Sequence, residues 1–122
     1  MTQGVRRVRV LKTSDVRRIV AFIPPGHTHT RVLIETVDGD VTILQQASVD
    51  ALIRAYAAVA LHPTRSACEL VLRELVSGRK HGFAKWQLIE SLRSEDEVLR
   101  DVMDIYLRTS TDDETRATNR GE

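Results

Sequence analysis

Basic side chains are concentrated near the amino end of the chain. The first 31 residues contain seven arginines and lysines but a single acid, Asp15, although the 122-residue chain has a net charge of only +1. From Trp86 onward the sign reverses, with five arginines against ten carboxylates, and residues 32–85 balance at six of each. Guanidinium groups bind phosphate oxygens through paired hydrogen bonds, and each neutralised phosphate releases counterions. The basic cluster therefore predicts contacts with a nucleic-acid backbone. The candidate phosphate contacts are Arg7, Arg9, Arg17, Arg18 and Arg31.

The same charge pattern has a second explanation. Charged edge strands keep a sheet from pairing with other chains, and basic strands also attract an acidic surface. The acidic carboxyl-terminal region of the chain offers such a surface, either in the same molecule or in another subunit. A protein–protein interaction or assembly module, in which basic strands meet an acidic C-terminal helix, is therefore the alternative to nucleic-acid binding.

Cations and aromatic rings occur together again in residues 79–86, which read RKHGFAKW. Proteins that bind single strands stack bases on aromatic rings, at about 1–3 kcal/mol per base. Lys80, Lys85 and Trp86 are therefore predicted to form a wall opposite the basic strands. The alternative is that Phe83 and Trp86, three residues apart on a predicted helix, belong to the core.

Residues with catalytic or metal-binding potential are few. His27 and His29 form a His-x-His pair, and a third ligand could come from His62, His81 or a carboxylate, but no recognised metal-binding motif accompanies the pair, so we expect no metal and no other cofactor. Cys68 falls on a predicted apolar helix face, where an inert thiol is the usual case. Residues 62–65 precede a predicted helix start that suits a phosphate, although ordinary capping by Thr64 explains them as well. Since nucleophile-elbow and nucleotide-binding motifs are also missing from the sequence, we predict that the protein is not an enzyme.

Length and composition indicate one ordinary domain. With 42% hydrophobic residues, the chain can bury a core without staples, and its single cysteine excludes an internal disulfide. No apolar run approaches the roughly 20 residues that cross a bilayer, and the amino end lacks the apolar block of a signal peptide. We therefore expect a cytoplasmic protein, with a single domain over residues 1–108 and a disordered polar tail over 109–122.

Four extended segments are predicted first. Residues 5–12 and 16–23 mix β-branched residues with arginines in rough alternation and predict a basic hairpin. After a Pro-Pro-Gly interruption, residues 30–37 and 40–45 predict a second hairpin. Its two-residue link, Asp38-Gly39, favours a type I′ turn.

Helices follow the strands. Ser48 is the expected N-cap of a helix over 49–61, whose apolar residues form one stripe. Ser66 heads a capping-box pattern that predicts a second helix ending at Gly78, and apolar spacing from Phe83 to Leu92 suggests a third. A second capping box at Ser94 opens a fourth helix over 95–108. The expected fold is therefore α+β: a four-stranded antiparallel sheet of two hairpins, followed by three to four helices packed on one face. The other face would present arginines.

The fourth predicted helix also suggests self-association. Leu99, Val102 and Tyr106 keep zipper-like spacing for little more than one heptad, which is enough to extend a dimer interface. Packing of these side chains on their own domain is the alternative.

Cation-bearing antiparallel strands, then helices, then a terminal helix with this spacing resemble the ThermoDBP group of archaeal single-stranded DNA-binding proteins over residues 5–108. The resemblance implies sequence-tolerant binding of single strands in a groove between sheet and helices. Cations would follow the backbone, and apolar or aromatic side chains would lie under the bases. It also implies a homodimer joined through the C-terminal helix. Single-stranded DNA is the favoured partner, and RNA stays open.

Overall fold

The described part of the chain folds into two α-helices and two separate small sheets. This computed structural model describes residues 7–74 and 86–120, with side chains described through Arg108. The α+β class agrees with the expectation, but the predicted architecture is wrong, because neither a four-stranded sheet nor three to four helices form in the described residues. The elements in chain order are a one-turn 3-10 helix at Thr13–Asp15, β1 at Val16–Phe22, β2 at Arg31–Thr36, β3 at Val41–Leu44, α1 at Gln46–Ala60, β4 at Leu70–Glu74, β5 at Trp86–Glu90 and α2 at Glu95–Arg120.

The first sheet has the order β1-β2-β3, with both pairs antiparallel. The predicted partner of β1 is wrong, because residues 7–12 form no strand and β1 pairs with β2 instead. The backbone of residues 12–15 closes on itself: the Asp15 N–H donates to the Lys12 carbonyl at 2.8 Å, and the Asp15 carboxylate accepts from the Lys12 N–H at 3.0 Å. The Asp15 carbonyl then accepts from the Val37 N–H at 2.9 Å, so it ties this turn to the end of β2.

The second predicted hairpin forms, but its turn differs from the expected one. Gly39 has a φ of +97°, whereas no non-glycine residue in the described chain has a positive φ. A type I′ turn needs positive φ at both central residues, so Asp38 excludes it. The Gly39 N–H donates to the Thr36 carbonyl at 2.9 Å, and the Thr36 N–H donates to the Asp40 carbonyl at 3.0 Å. This is a three-residue loop in which the left-handed glycine completes the turn.

The second and third predicted helices are wrong, because β4 and β5 occupy their place as an antiparallel pair. A short apolar run such as residues 70–72 fits the spacing of a helix as well as that of a strand. Pairing with a partner strand more than ten residues away makes this run a strand. No helix begins at Ser66. Its N–H donates to the Glu95 carboxylate, and the Arg65 N–H donates to His62 Nδ1 at 3.0 Å. The suggested phosphate site at a helix start over 62–65 is therefore also wrong.

The two helices differ in how they begin. α1 starts at Gln46 after Gln45, which makes no side-chain cap, so the expected cap at Ser48 is wrong. α2 begins with the predicted capping box, because the Glu97 N–H donates to Ser94 Oγ at 3.1 Å and the Ser94 N–H donates to the Glu97 carboxylate at 2.9 Å. Helical backbone continues to Arg120, so the predicted end of the fourth helix at residue 108 is wrong. The domain limits 1–108 and the polar tail 109–122 stay predictions.

The core of the described chain is thin. Its buried hydrophobic residues are Ala51, Ala67 and Val98, and no large side chain there is fully buried. α1 contacts β2, but the apolar stripe that the sequence shows on α1 is not the packed face. The buried position on this helix is Ala51, whereas Leu52 and Tyr56 are 59% and 71% exposed. Much apolar surface is therefore open to a ligand or partner.

Candidate nucleic-acid interface

Arg9 is held against the loop between β2 and β3. Its guanidinium lies 3.1 Å from the Asp38 carboxylate and 3.2 Å from the Asp40 carboxylate. Hydrogen bonds from the Thr36 hydroxyl and from the Asp40 N–H, with a smaller contribution from the Arg9 charge, lower the pKa of Asp38. Arg9 therefore faces two acids of its own chain, and its free positive charge is small.

Arg17 and Arg18 share one carboxylate. Arg18 Nε lies 2.7 Å from Glu35 Oε1, and Arg17 Nη1 lies 3.7 Å from Glu35 Oε2. Neighbours on a strand normally point to opposite faces, but an irregularity between Val16 and Arg18 lets both reach the same acid. Two cations against one acid leave a local excess of one positive charge. Since the Arg18 side chain is 60% exposed, this pairing is weak, at about 0–1 kcal/mol, and a phosphate can replace it.

Arg7 and Arg31 are the least neutralised of the predicted contacts. Neither has a carboxylate partner within residues 7–74 and 86–108; Arg7 is exposed, and Arg31 donates only to the His29 carbonyl, at 3.4 Å. Arg31 stands opposite Phe22 in the β1–β2 ladder, and opposite residues share a face. Because side chains alternate along β1, Arg18 lies on this same face. The sheet thus presents two cations beside an aromatic ring.

The acids of α2 do not neutralise these arginines in the described part of the chain. The Asp101 carboxylate lies 2.9 Å from Arg93, the Asp104 carboxylate lies 3.6 Å from Arg108, and Glu95 accepts from the Ser66 N–H. Arg93 also lies 2.6 Å from Glu69. These acids of α2 therefore pair with residues 66–108 rather than with the basic strands. An interaction between basic strands and this helix would have to be formed between subunits.

Trp86 borders a groove between α1 and the β4–β5 sheet. The groove has a volume of about 420 Å³ and includes Leu72 and Leu88 on the sheet, with Asp50 and Arg54 on α1. Arg54 Nη2 donates to the Leu88 carbonyl at 3.3 Å, which joins α1 to β5. Trp86 is 53% exposed, so it is not a buried core residue.

Sequence reasoning missed the role of Arg54. Arg54 is the only cation of α1, and this was the feature of the sequence that could have marked it. Its place beside Trp86 can be inferred only once residues 86–90 are known to form a strand. The other two predicted members of this wall, Lys80 and Lys85, lie outside the described residues.

The predicted dimerisation residues are partly accessible. Leu99 is half-buried, whereas Val102 and Tyr106 are exposed on α2. Two of these three side chains are therefore accessible to α2 of a second subunit, in either a parallel or an antiparallel arrangement. Dimerisation through them stays a prediction.

Other kinds of site find little support in the described residues. Groups of three or more His, Cys, Asp or Glu that could hold a metal ion do not occur there, and His27 and His29 are both exposed. Among the helices described, none is long and apolar enough to span a bilayer.

Comparisons with protein-family models, with curated proteins and with solved structures give no match to this chain. The resemblance to the ThermoDBP group therefore stays a prediction, and the functional argument depends on the site itself.

Proposed function

We propose that this protein binds single-stranded nucleic acid without strong sequence preference and without catalysis or a cofactor, in the cytoplasm. Single-stranded DNA is the preferred partner in this proposal, on the strength of the resemblance to the ThermoDBP group. The observation that carries the proposal is the half-exposed Trp86 at a groove that also contains Arg54.

The groove suits a base better than a phosphate. Trp86 offers a stacking surface, Leu72 and Leu88 offer apolar contact, and Arg54 can stack on a base as a planar cation. Asp50 in the same groove would repel a phosphate. The bases would therefore enter the groove while the sugar–phosphate backbone stays outside it. Since every base has a stacking face, such a site tolerates any sequence.

The arginines of the amino-terminal half would follow the backbone. Arg7 and Arg31 have no carboxylate partner among the described residues and can bind phosphate directly, whereas Arg17 and Arg18 become available when a phosphate replaces Glu35. The logarithm of the association constant should then fall by about 0.7 per phosphate contact for each unit in the logarithm of salt concentration. Because several arginines already face acids, we expect micromolar rather than nanomolar affinity at moderate salt.

Substitution of Trp86 tests the proposal. Fluorescence anisotropy with a labelled single-stranded oligonucleotide should show that Trp86→Ala weakens binding by about 5- to 150-fold, equivalent to the roughly 1–3 kcal/mol of one stacked base. Trp86→Phe should retain most of the affinity because it keeps a ring. Leu92→Ala is the matched control, since Leu92 is 91% exposed and does not line the groove. Equal affinities for the wild type and Trp86→Ala would contradict the proposal.

An assembly module remains the second candidate. It is the alternative because the ion pairs at Arg9, Arg17 and Arg18 weaken the case for phosphate contacts, although the same pairs also reduce the charge available to an acidic helix. In that case basic strands of one subunit would meet the acidic helix of another. Light scattering beside the anisotropy assay separates the two functions: salt-sensitive oligomers without nucleic-acid affinity would support assembly.

A further inference from the structure

The groove beside Trp86 contains two charged side chains of α1 that can bind the edge of a base. Asp50 and Arg54 stand one helical turn apart, so they lie on the same side of α1, and both line the groove. Both are exposed. Within the described residues neither side chain has an ion pair, and the Arg54 guanidinium makes one hydrogen bond, to the Leu88 carbonyl. The Asp50 carboxylate and the remaining Arg54 donors are therefore open to a ligand.

The two side chains have opposite hydrogen-bonding capacities. An ionised carboxylate only accepts, through two oxygens side by side, whereas a guanidinium only donates, through a planar fork of N–H groups. The Leu88 carbonyl occupies Nη2 of Arg54 at 3.3 Å, which leaves donors on the other two nitrogens. The groove therefore offers a paired acceptor and a donor, together with the apolar surface of Leu72 and the ring of Trp86.

Guanine has the complementary edge, and in a single strand this edge is not used in base pairing. Its N1–H and its exocyclic N2 amino group are adjacent donors, and its O6 is an acceptor beside them. Adenine and cytosine present one amino group next to a ring-nitrogen acceptor, and thymine presents one N–H between two carbonyls. None of these three bases can donate to both oxygens of one carboxylate from adjacent groups.

We propose that the groove beside Trp86 prefers guanine, with Asp50 accepting hydrogen bonds from N1–H and the N2 amino group and Arg54 donating to O6. This inference rests on the proposed function, to which it adds a preferred base. The preference concerns the base that stacks on Trp86. Contacts elsewhere along the strand stay independent of sequence.

The expected preference is modest. A good bidentate contact discriminates between bases by about 5- to 150-fold. Because Asp50 and Arg54 are exposed, water competes for their hydrogen bonds, and we expect the lower end of this range, about 5- to 10-fold.

Three labelled oligonucleotides test the preference on the wild-type protein. Each is a run of thymines with one central base, which is guanine, hypoxanthine or thymine. Hypoxanthine differs from guanine only in lacking the amino group. In fluorescence anisotropy the guanine oligonucleotide should bind about 5- to 10-fold more tightly than the thymine one, and at least about threefold more tightly than the hypoxanthine one.

Asp50→Asn tests the residue. An amide offers one acceptor and one donor where the carboxylate offers two acceptors, so the affinities for the guanine and thymine oligonucleotides should come to within about twofold of each other. The ratio of the two affinities is the readout, because loss of a negative charge strengthens the binding of every strand. Asp96→Asn is the matched control, since Asp96 is exposed and does not line the groove, and it should keep the wild-type ratio. Circular dichroism of each variant verifies that it is folded.

Two results would overturn the base preference alone. One is equal affinity of the wild type for all three oligonucleotides, in binding that is still weakened by Trp86→Ala. The other is a guanine preference that Asp50→Asn leaves unchanged, which would assign recognition to other residues. A wild type that binds none of the three at low salt would overturn the proposed function and this inference together.

Discussion

Glu35 is the residue whose removal should strengthen nucleic-acid binding. Its side chain is only 18% exposed, and its carboxylate faces both Arg17 and Arg18, at 3.7 Å and 2.7 Å. A phosphate that binds these arginines must first displace that acid. Glu35→Gln keeps the size of the side chain and removes the charge, so the competition disappears.

The magnitude follows from the two ion pairs. An ion pair of this kind is worth roughly 0.2–1 kcal/mol, so loss of both pairs made by Glu35 should improve the binding free energy by about 0.4–2 kcal/mol. This corresponds to an affinity about 2- to 30-fold higher. Fluorescence anisotropy with a labelled oligonucleotide at about 0.05 M salt, where charge interactions are weakly screened, measures the change.

The matched control for Glu35→Gln is Asp96→Asn, which changes the net charge by the same amount. Asp96 is exposed in the first turn of α2, which is a separate element from the basic strands. It should change the affinity by less than about twofold. If Glu35→Gln does not tighten binding, or if Asp96→Asn tightens it equally, then Arg17 and Arg18 do not contact phosphate and the reasoning fails.

Two further predictions concern the remaining charges. Arg31→Ala should weaken binding more than Arg9→Ala, because Arg9 already faces Asp38 and Asp40 whereas Arg31 has no carboxylate partner among the described residues; equal losses in the same anisotropy assay would count against this ranking. The Arg93 guanidinium lowers the pKa of Glu69 from its usual 4.5, so this pair stabilises the fold above about pH 4.5 and the contribution is lost as the pH falls through the lowered pKa. Thermal melts of Glu69→Gln should accordingly show a smaller drop in Tm between about pH 5 and 3 than the wild type, and an unchanged drop would contradict the role of the pair.

The sequence correctly predicted the elements that depend on interactions between residues close together in the chain. Alternation located β1 and β2, Asp38-Gly39 located the loop before β3, and the Ser94 capping box located the start of α2. β4 and β5 were missed because their pairing joins Leu70 to Glu90 across the chain, and neither strand has an alternating pattern of its own.

The candidate site shows the same limit. The sequence located the arginines but not their partners, because the contact of Arg18 with Glu35 depends on the β1–β2 register and its irregularity. It also marked Trp86 as a contact, but on a helix rather than at the start of a strand. The sequence did not predict Arg54 as part of the site, because its hydrogen bond to the Leu88 carbonyl joins residues that are 34 positions apart.

The most direct test of single-strand binding is the affinity of the wild-type protein for a labelled single-stranded oligonucleotide at several salt concentrations. We predict micromolar or tighter binding at low salt. On a double-logarithmic plot, the association constant should fall with a slope of about −2 to −3, as expected for three to four phosphate contacts at about 0.7 each. An absence of binding at low ionic strength, or an affinity that does not change with salt, would contradict the account.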